Sequence, residues 1–373
     1  MIVDASSAAA EPLSVFMRPA WAGENALCQQ MADALTAEGL VVTELGYSYR
    51  AVPAGPGIAF FHWPNEMFLK DTPRKMVATL MKLARMAWAK RQGLRLVWLA
   101  HNIVPHEAGE PFRLARSLFF HLLDGVVYLS ESSQAQVITA YPALAEMPSL
   151  IVPHGVYLPR IQAPRPANPL ATRPVHLVFA GRVKRYKAPD ALAKAVASLP
   201  AEQVRVTIAG ACDDPVLAAE LTAIAAGTTN IALSLEFLDD DSLESLLDSA
   251  DAIVIPYRGI LNSGSALHAL SRARPFIAPR LGSLTELEGQ VGNDWVWLYE
   301  GQLDQGRLSE AVSWLRRRPE GRLPNLAAFQ WPAIGASLAG FLREIGGRPK
   351  ASALNPPGGR ADASTPLQSR VPH

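Results

Sequence analysis

The sequence predicts an α/β protein built from two doubly wound, Rossmann-like units. Three observations carry this prediction. Short apolar runs alternate with helix-spaced segments along most of the chain, the pattern of parallel βαβ units. The alternation halts in a proline-dense stretch near the middle and then restarts. The 373 residues exceed what one domain of about 150 residues needs.

Leu13 to Met17 reads as a first buried strand, and apolar residues at helical spacing run from Glu24 to Glu38 before Gly39 ends them. Val41 to Leu45, Ile58 to His62, Leu94 to Ala100, Val126 to Ser130 and Leu150 to Val152 follow as strands. Pro159, Pro164, Pro166, Pro169 and Pro174 exclude regular helix or central strand, so 158–174 is a linker between an N-terminal unit, 1–157, and a C-terminal one, 175–345. In the second unit, strands are predicted at His176 to Ala180, Val204 to Ala209, Ile231 to Phe237, Ala252 to Pro256 and Phe276 to Ala278. Helices are predicted from Pro189, Pro215, Ser242 and Gly264. Residues 346–373 hold four Gly, five Pro and no aromatic, which predicts a disordered tail.

Composition narrows the function. A hydrophobic content of 49% with 18% charge excludes global disorder, and a net charge of +1 argues against a nucleic-acid binder. Cys28 and Cys212 alone cannot build a disulfide scaffold or a zinc site, which suits a reducing cytoplasm. No long uncharged apolar run and no basic leader occur, so any membrane contact is expected to be peripheral.

Two segments carry the chemistry of an anion site. Phe179-Ala-Gly-Arg-Val-Lys-Arg-Tyr-Lys187 ends a strand in glycine and then presents Arg182, Lys184, Arg185 and Lys187 on the crevice side of a doubly wound sheet. Cations in that place suit a diphosphate; the plainer alternative is a solvated basic loop. Pro256 to Ala266 leads from a buried strand into a helix start with Ser263, Gly264 and Ser265, where free amides and the helix dipole attract phosphate. An ordinary capped helix start explains those residues equally well. Phe237 and Tyr257 end buried strands and either border a base pocket or sit in the core.

Together these segments resemble the C-terminal half of GT-B glycosyltransferases, over about residues 176 to 288. The resemblance implies that Arg182 and Lys187 grip a donor diphosphate with the Ser263-Gly264-Ser265 helix start. It also implies that Gly282 and Glu286 lie near the nucleotide. The chain departs from the large retaining family in lacking its two glutamates: Ile260 and His268 stand near their places. His268 either takes over the ribose contact or is a buried helix residue, and the departure puts retaining stereochemistry in question.

In the N-terminal half, Trp98-Leu-Ala-His-Asn-Ile-Val-Pro-His-Glu107 follows a strand and gathers His101, His106 and Glu107 on the crevice side. A general base for an acceptor hydroxyl needs a carboxylate or imidazole there, with Glu107 first and the two histidines behind it. This stretch, with Phe16-Met-Arg-Pro-Ala-Trp21 and Val152-Pro-His-Gly-Val156, resembles bacterial exopolysaccharide glycosyltransferases of the xanthan-assembly type, including GDP-mannose-dependent β-mannosyltransferases. That likeness implies a nucleotide-sugar donor, a lipid diphosphate-linked glycan acceptor and a site on the inner face of the plasma membrane. Residues 70–95 carry eight basic side chains against Asp71 alone, and helical spacing places Lys75, Lys82 and Arg85 on one face and Val77, Leu80, Met81, Ala84 and Trp88 on the other, an amphipathic helix. The expected arrangement turns its apolar face inward and its basic face toward an anionic membrane surface.

Asp239-Asp-Asp241 is read as a helix N-cap rather than a metal motif, and Asp214 likewise. No metal and no cofactor are expected, because cations and helix N-termini suffice for a leaving diphosphate. The missing dinucleotide fingerprint disfavours nicotinamide chemistry, and neither a P-loop nor a His-Glu-x-x-His zinc motif occurs. A hexosyltransferase is the resulting expectation. The alternatives are a UDP-sugar-dependent enzyme and a catalytically silent sugar-nucleotide or glycan-binding partner, the latter suggested by the missing glutamates.

Overall fold

The computed structural model describes residues 12–21, 26–46, 51–62, 64, 72–100, 112–157, 173–259, 263–319 and 321–348. Apolar runs without alternation form central strands buried on both faces, as parallel sheets require. Six strands build a first sheet: β1 (Ser14–Arg18), β2 (Val41–Glu44), β3 (Gly57–Phe61), β4 (Leu94–Leu99), β5 (Gly125–Tyr128) and β6 (Ser149–Ile151), of which β3, β4 and β5 are buried along their whole length. Their order is β2-β1-β3-β4-β5-β6, and every pairing is parallel.

The second sheet holds β7 (Val175–Ala180), β8 (Val204–Ala209), β9 (Ile231–Ser234), β10 (Ala252–Val254), β11 (Phe276–Pro279) and β12 (Val296–Tyr299). It is also all parallel, in the order β12-β11-β10-β7-β8-β9. The strand order reverses between β7 and β10, so the loops after these two strands flank the crevice in which doubly wound folds bind ligands.

Helix α1 (Ala26–Ala37) covers one face of the first sheet, and α2 (Pro73–Arg91), α3 (Arg113–Leu122) and α4 (Glu131–Ala140) lie on the other. Around the second sheet stand α5 (Pro189–Ala197), α6 (Pro215–Ala226), α7 (Asp240–Ser249), α8 (Gly264–Ser271), α9 (Ser283–Val291) and α10 (Gln305–Arg317). Asp214 caps α6 by accepting the amides of Val216 and Leu217, both at 3.0 Å, and Asp239 caps α7 by accepting that of Ser242 at 2.8 Å.

Two features differ from the sequence reading. The last helix, α11 (Trp331–Gly347), was grouped with the second unit, but it crosses back onto the first. Ile334, Leu338, Leu342 and Ile345 join Met31, Leu35 and Ile58 in one core, and Gly335 passes close against Ala34. Nothing local in an apolar helical stripe says which of two sheets it will cover.

The second difference is the facing of α2. Leu83, Met86 and Ala89 are its buried residues, while Val77, Leu80, Met81 and Trp88 are exposed. The inward apolar face expected for those four is therefore an outward one. Arg85 is half-buried on the inner side, where its guanidinium donates to the Val52 carbonyl at 3.3 Å and lies 4.0 Å from the Trp88 ring centroid. Long basic side chains place their methylene stems along a core and their charged ends at its edge, so a basic residue does not mark the solvent face of a helix.

The linker stretch 158–172, the tail from 349 and the catalytic candidates His101, His106 and Glu107 lie outside the described residues.

Candidate active site

The site is built at the reversal between β7 and β10. Strand β7 ends at Ala180, and Gly181 turns the chain at φ +107°. Gly210, at the end of β8, packs its backbone directly on the Gly181 carbonyl with φ +134°, so a side chain there meets both steric conflict and a disfavoured backbone. A short helical turn, Arg185 to Lys187, then leads into α5 through Ala188 in the left-handed region, φ +47°.

This turn sorts the four cations. Arg185 is held by Asp214 at 2.7 Å and Glu220 at 3.3 Å, an exposed structural network. Arg182 stands open to solvent with a loose approach to Asp213 at 3.8 Å, and Lys184 is exposed. Lys187 points inward, its ammonium 5.4 Å from the Tyr257 ring centroid. Burial first, then the neighbouring Lys184 and Arg182, pull its pKa down to about 8. Three cations converging on one turn, one of them desolvated, form a place that gains from a bound anion.

The loop after β10 supplies the opposite wall. The Arg258 amide donates to the Tyr186 carbonyl at 2.8 Å, and the Arg258 guanidinium pairs with Asp190 at 3.0 Å, which locks this loop to the lysine turn. Tyr257 is buried, its hydroxyl 3.3 Å from Ser265 Oγ, and burial raises its pKa to about 12. Ser263 caps α8 by accepting the Ala266 amide at 3.2 Å. Residues 260–262 of this loop lie outside the described residues.

A cleft of about 630 Å³ opens between these walls, lined among others by Gly181, Arg182, Asp240, Gly264, Ser265 and His268. The sequence-derived Arg182, Gly264, Ser265 and His268 thus share one cavity, with Lys187 and Tyr257 beside it. His268 is half-buried, and burial lowers its pKa, followed by the Arg272 charge. Its ring packs at a 31° tilt against that of Tyr157, centroids 4.9 Å apart, a partner the sequence does not signal because a lone aromatic ahead of a proline-rich stretch has nothing to mark it.

Tyr157 comes from the first unit's last described segment. Its hydroxyl sits against Gly264 and 3.4 Å from His154 Nε2, and its carbonyl accepts Gln30 Nε2 at 3.1 Å. His154 is buried and anchored by its own neighbour, Nδ1 to the Gly155 carbonyl at 2.8 Å. Gly155 leaves room for the Trp331 ring, whose Nε1 donates to the Val156 carbonyl at 2.8 Å.

Two sequence-derived residues stand apart from this cleft. Glu286 lines a different pocket of about 330 Å³ with Ser130, His154 and Ser263. Its carboxylate accepts the amides of Glu131 and Ser132 at the start of α4, so it joins the two units in the place where a nucleotide contact was expected. Phe237 is not core: it is 74% exposed in the loop ahead of α7.

The chain resembles known proteins in sequence and in fold. The family described as "Glycosyl transferases group 1" matches residues 174–317, the unit that carries the lysine turn and the α8 start. The chain is 28% identical over 283 residues, 74% of its length and 77% of the relative's, to a GDP-mannose:glycolipid 4-beta-D-mannosyltransferase of Xanthomonas campestris pv. campestris. Among solved structures, sucrose-phosphate synthase of Thermosynechococcus elongatus superposes with a TM-score of 0.60 at 15% identity, over 89% of this chain and 99% of that one. Anabaena HepE in complex with UDP-glucose gives 0.58 at 14%, over 89% and 98%. Residues 174–317 are therefore a group 1 glycosyl transferase domain, and the chain is a glycosyltransferase of GT-B architecture.

Proposed function

We propose that the enzyme transfers a mannosyl unit from GDP-mannose to a lipid diphosphate-linked oligosaccharide, as a step of exopolysaccharide assembly at the cytoplasmic face of the plasma membrane. The observation that carries this reading is the cleft that brings Arg182 of the lysine turn to the Gly264 and Ser265 start of α8, with the desolvated Lys187 on the same turn. The relative's donor and glycolipid acceptor supply the substrate class.

In this reading the donor diphosphate lies between Lys187, Arg182 and the α8 N-terminus, which stabilise negative charge as the bond from anomeric carbon to phosphate oxygen breaks. His268, packed against Tyr157, borders the nucleotide. The acceptor hydroxyl attacks the anomeric carbon from the opposite face, and its proton passes to Glu107, or to His106 or His101. GDP leaves with the bonding electron pair. Attack of this kind turns an α-linked donor into a β-linked product, and the proton transfer contributes about 10²- to 10⁴-fold. No metal or cofactor enters: the chain's own cations and helix amides meet the charge on the leaving group.

The test is to incubate the purified chain with radiolabelled GDP-mannose and a lipid diphosphate-linked oligosaccharide, then assign the new linkage. A β-mannosylated lipid product is expected, lost in Glu107→Ala. Transfer from UDP-glucose or UDP-glucuronate instead would replace the donor, and binding without transfer would favour a silent partner.

A further inference from the structure

We propose that the outward faces of α2 and α3 form a single bilayer-docking surface, which inserts apolar side chains among the lipids of an anionic membrane rather than resting on it by charge alone. Among the described residues, six of the thirteen exposed large apolar side chains fall on these two helices: Val77, Leu80, Met81, Trp88, Leu114 and Leu118, between 36% and 57% exposed. Val77, Met81 and Trp88 lie in one line along α2 at spacings of four and seven residues, and Leu114 and Leu118 are one turn apart on α3.

The two lines belong to one surface. α2 and α3 pack against each other, and both bury their other faces on the same core, through Leu83, Met86 and Ala89 on α2 and Ala115, Phe119 and Phe120 on α3. Their exposed faces therefore point the same way. Contiguous apolar surface of this kind on a water-soluble face marks an interaction site.

Charge names the occupant. Neither helix contains an acidic residue, while Arg74, Lys75, Arg91 and Arg113 are exposed on them. An apolar stripe on helices whose own charged side chains are all cationic complements anionic headgroups over an acyl interior, the pattern of an interfacial helix. No helix among the described residues is long and apolar enough to cross a membrane, so the surface rests in one leaflet.

Topology sets the surface beside the active cleft. The strands β3, β4 and β5 are parallel, so α2 and α3, which connect them, start at the carboxyl ends of the strands, the crevice side. Val77, Leu80, Met81, Leu114 and Leu118 all lie in the first two and a half turns of their helices or fewer. A sugar chain on a membrane-anchored diphosphate would thus meet the cleft at its mouth. This use of the surface rests on the lipid-borne acceptor proposed above; the surface itself does not.

The experiment is co-sedimentation of the full chain with vesicles of phosphatidylcholine alone and of phosphatidylcholine with phosphatidylglycerol. Binding to the anionic vesicles is expected, and a measurable part of it should survive about 0.5 M NaCl, where exposed charges are screened. Met81→Glu with Leu118→Glu should weaken partition by about tenfold or more, while Val216→Glu, at an exposed apolar site on α6, should not. GDP-induced thermal stabilisation, retained in all variants, reports that they are folded. Absence of binding, complete loss at high salt, or a wild-type dimer that the double substitution separates would each overturn the proposal. Vesicle binding by a chain that ignores GDP-mannose would leave the surface standing and sink the donor reading instead.

Discussion

The Glu286 carboxylate of one unit accepts the Ser132 amide of the other at 2.7 Å, and the Glu131 amide at 3.0 Å. An anion at the first turn of α4 satisfies two amides that have no partner within the helix and sits at the positive end of its dipole. Ser132 Oγ returns a hydrogen bond to the Gly282 carbonyl at 3.3 Å, which makes the contact reciprocal. Glu286→Ala should therefore cost about 1 kcal/mol of stability, seen as a lower urea midpoint, with nucleotide affinity unchanged. Lost nucleotide affinity at full stability would return this carboxylate to the donor.

If Lys187 holds the donor diphosphate as proposed, it links stability to donor binding with opposite signs. Its pKa is lowered from 10.5 to about 8, so between those values the folded protein has released a proton that the unfolded chain still holds. Stability of the ligand-free protein must then rise with pH across that window. Lys187→Met should raise the melting temperature of the free protein at pH 7, flatten its rise above pH 8 and abolish nucleotide-induced stabilisation. In the unsubstituted protein, nucleotide affinity should fall above about pH 8, as the ammonium loses its proton. Calorimetric scans and nucleotide titrations from pH 6.5 to about 9.5 check both signs.

Gly264 has no room for a side chain because the Tyr157 hydroxyl occupies it. Gly264→Ala should cost about 1 to 3 kcal/mol by overpacking. Removing the oxygen with Tyr157→Phe should restore part of that loss, so the double variant falls short of the sum of the two single ones. Strict additivity in a denaturation cycle would mean that the two residues do not meet.

Gly210 stands at one remove from the proposed donor site. Its backbone rests on the Gly181 carbonyl, and Gly181 begins the turn that carries Arg182 and Lys187. Gly210→Ala should destabilise the fold by about 1 to 3 kcal/mol and weaken nucleotide binding together with it. A stable variant with intact nucleotide affinity would show that the turn tolerates displacement.

All strands but the last were legible because central parallel strands are continuous apolar runs between turn residues, as in Leu94–Leu99 and Val175–Ala180. The lysine turn was legible from its place after β7, since strand ends at a reversal of order face the crevice. Strand β12, with Trp297 and Leu298 only half-buried, escaped notice: an edge strand of four residues has little apolar signature. Long-range choices were invisible. Which sheet α11 covers, which side of α2 meets the core, and that Glu286 reaches a helix more than a hundred residues upstream depend on tertiary packing, which periodicity does not encode.

The most direct test of the central claim is thermal denaturation of the purified chain with GDP-mannose, GDP, UDP-glucose, UDP-glucuronate and UDP, repeated with Lys187→Ala. A ligand that binds only the native state raises its melting temperature. The account predicts stabilisation by GDP-mannose and GDP that disappears in the variant. Stabilisation that survives loss of the Lys187 ammonium, or none with any nucleotide, would contradict a donor diphosphate held in the cleft between β7 and β10.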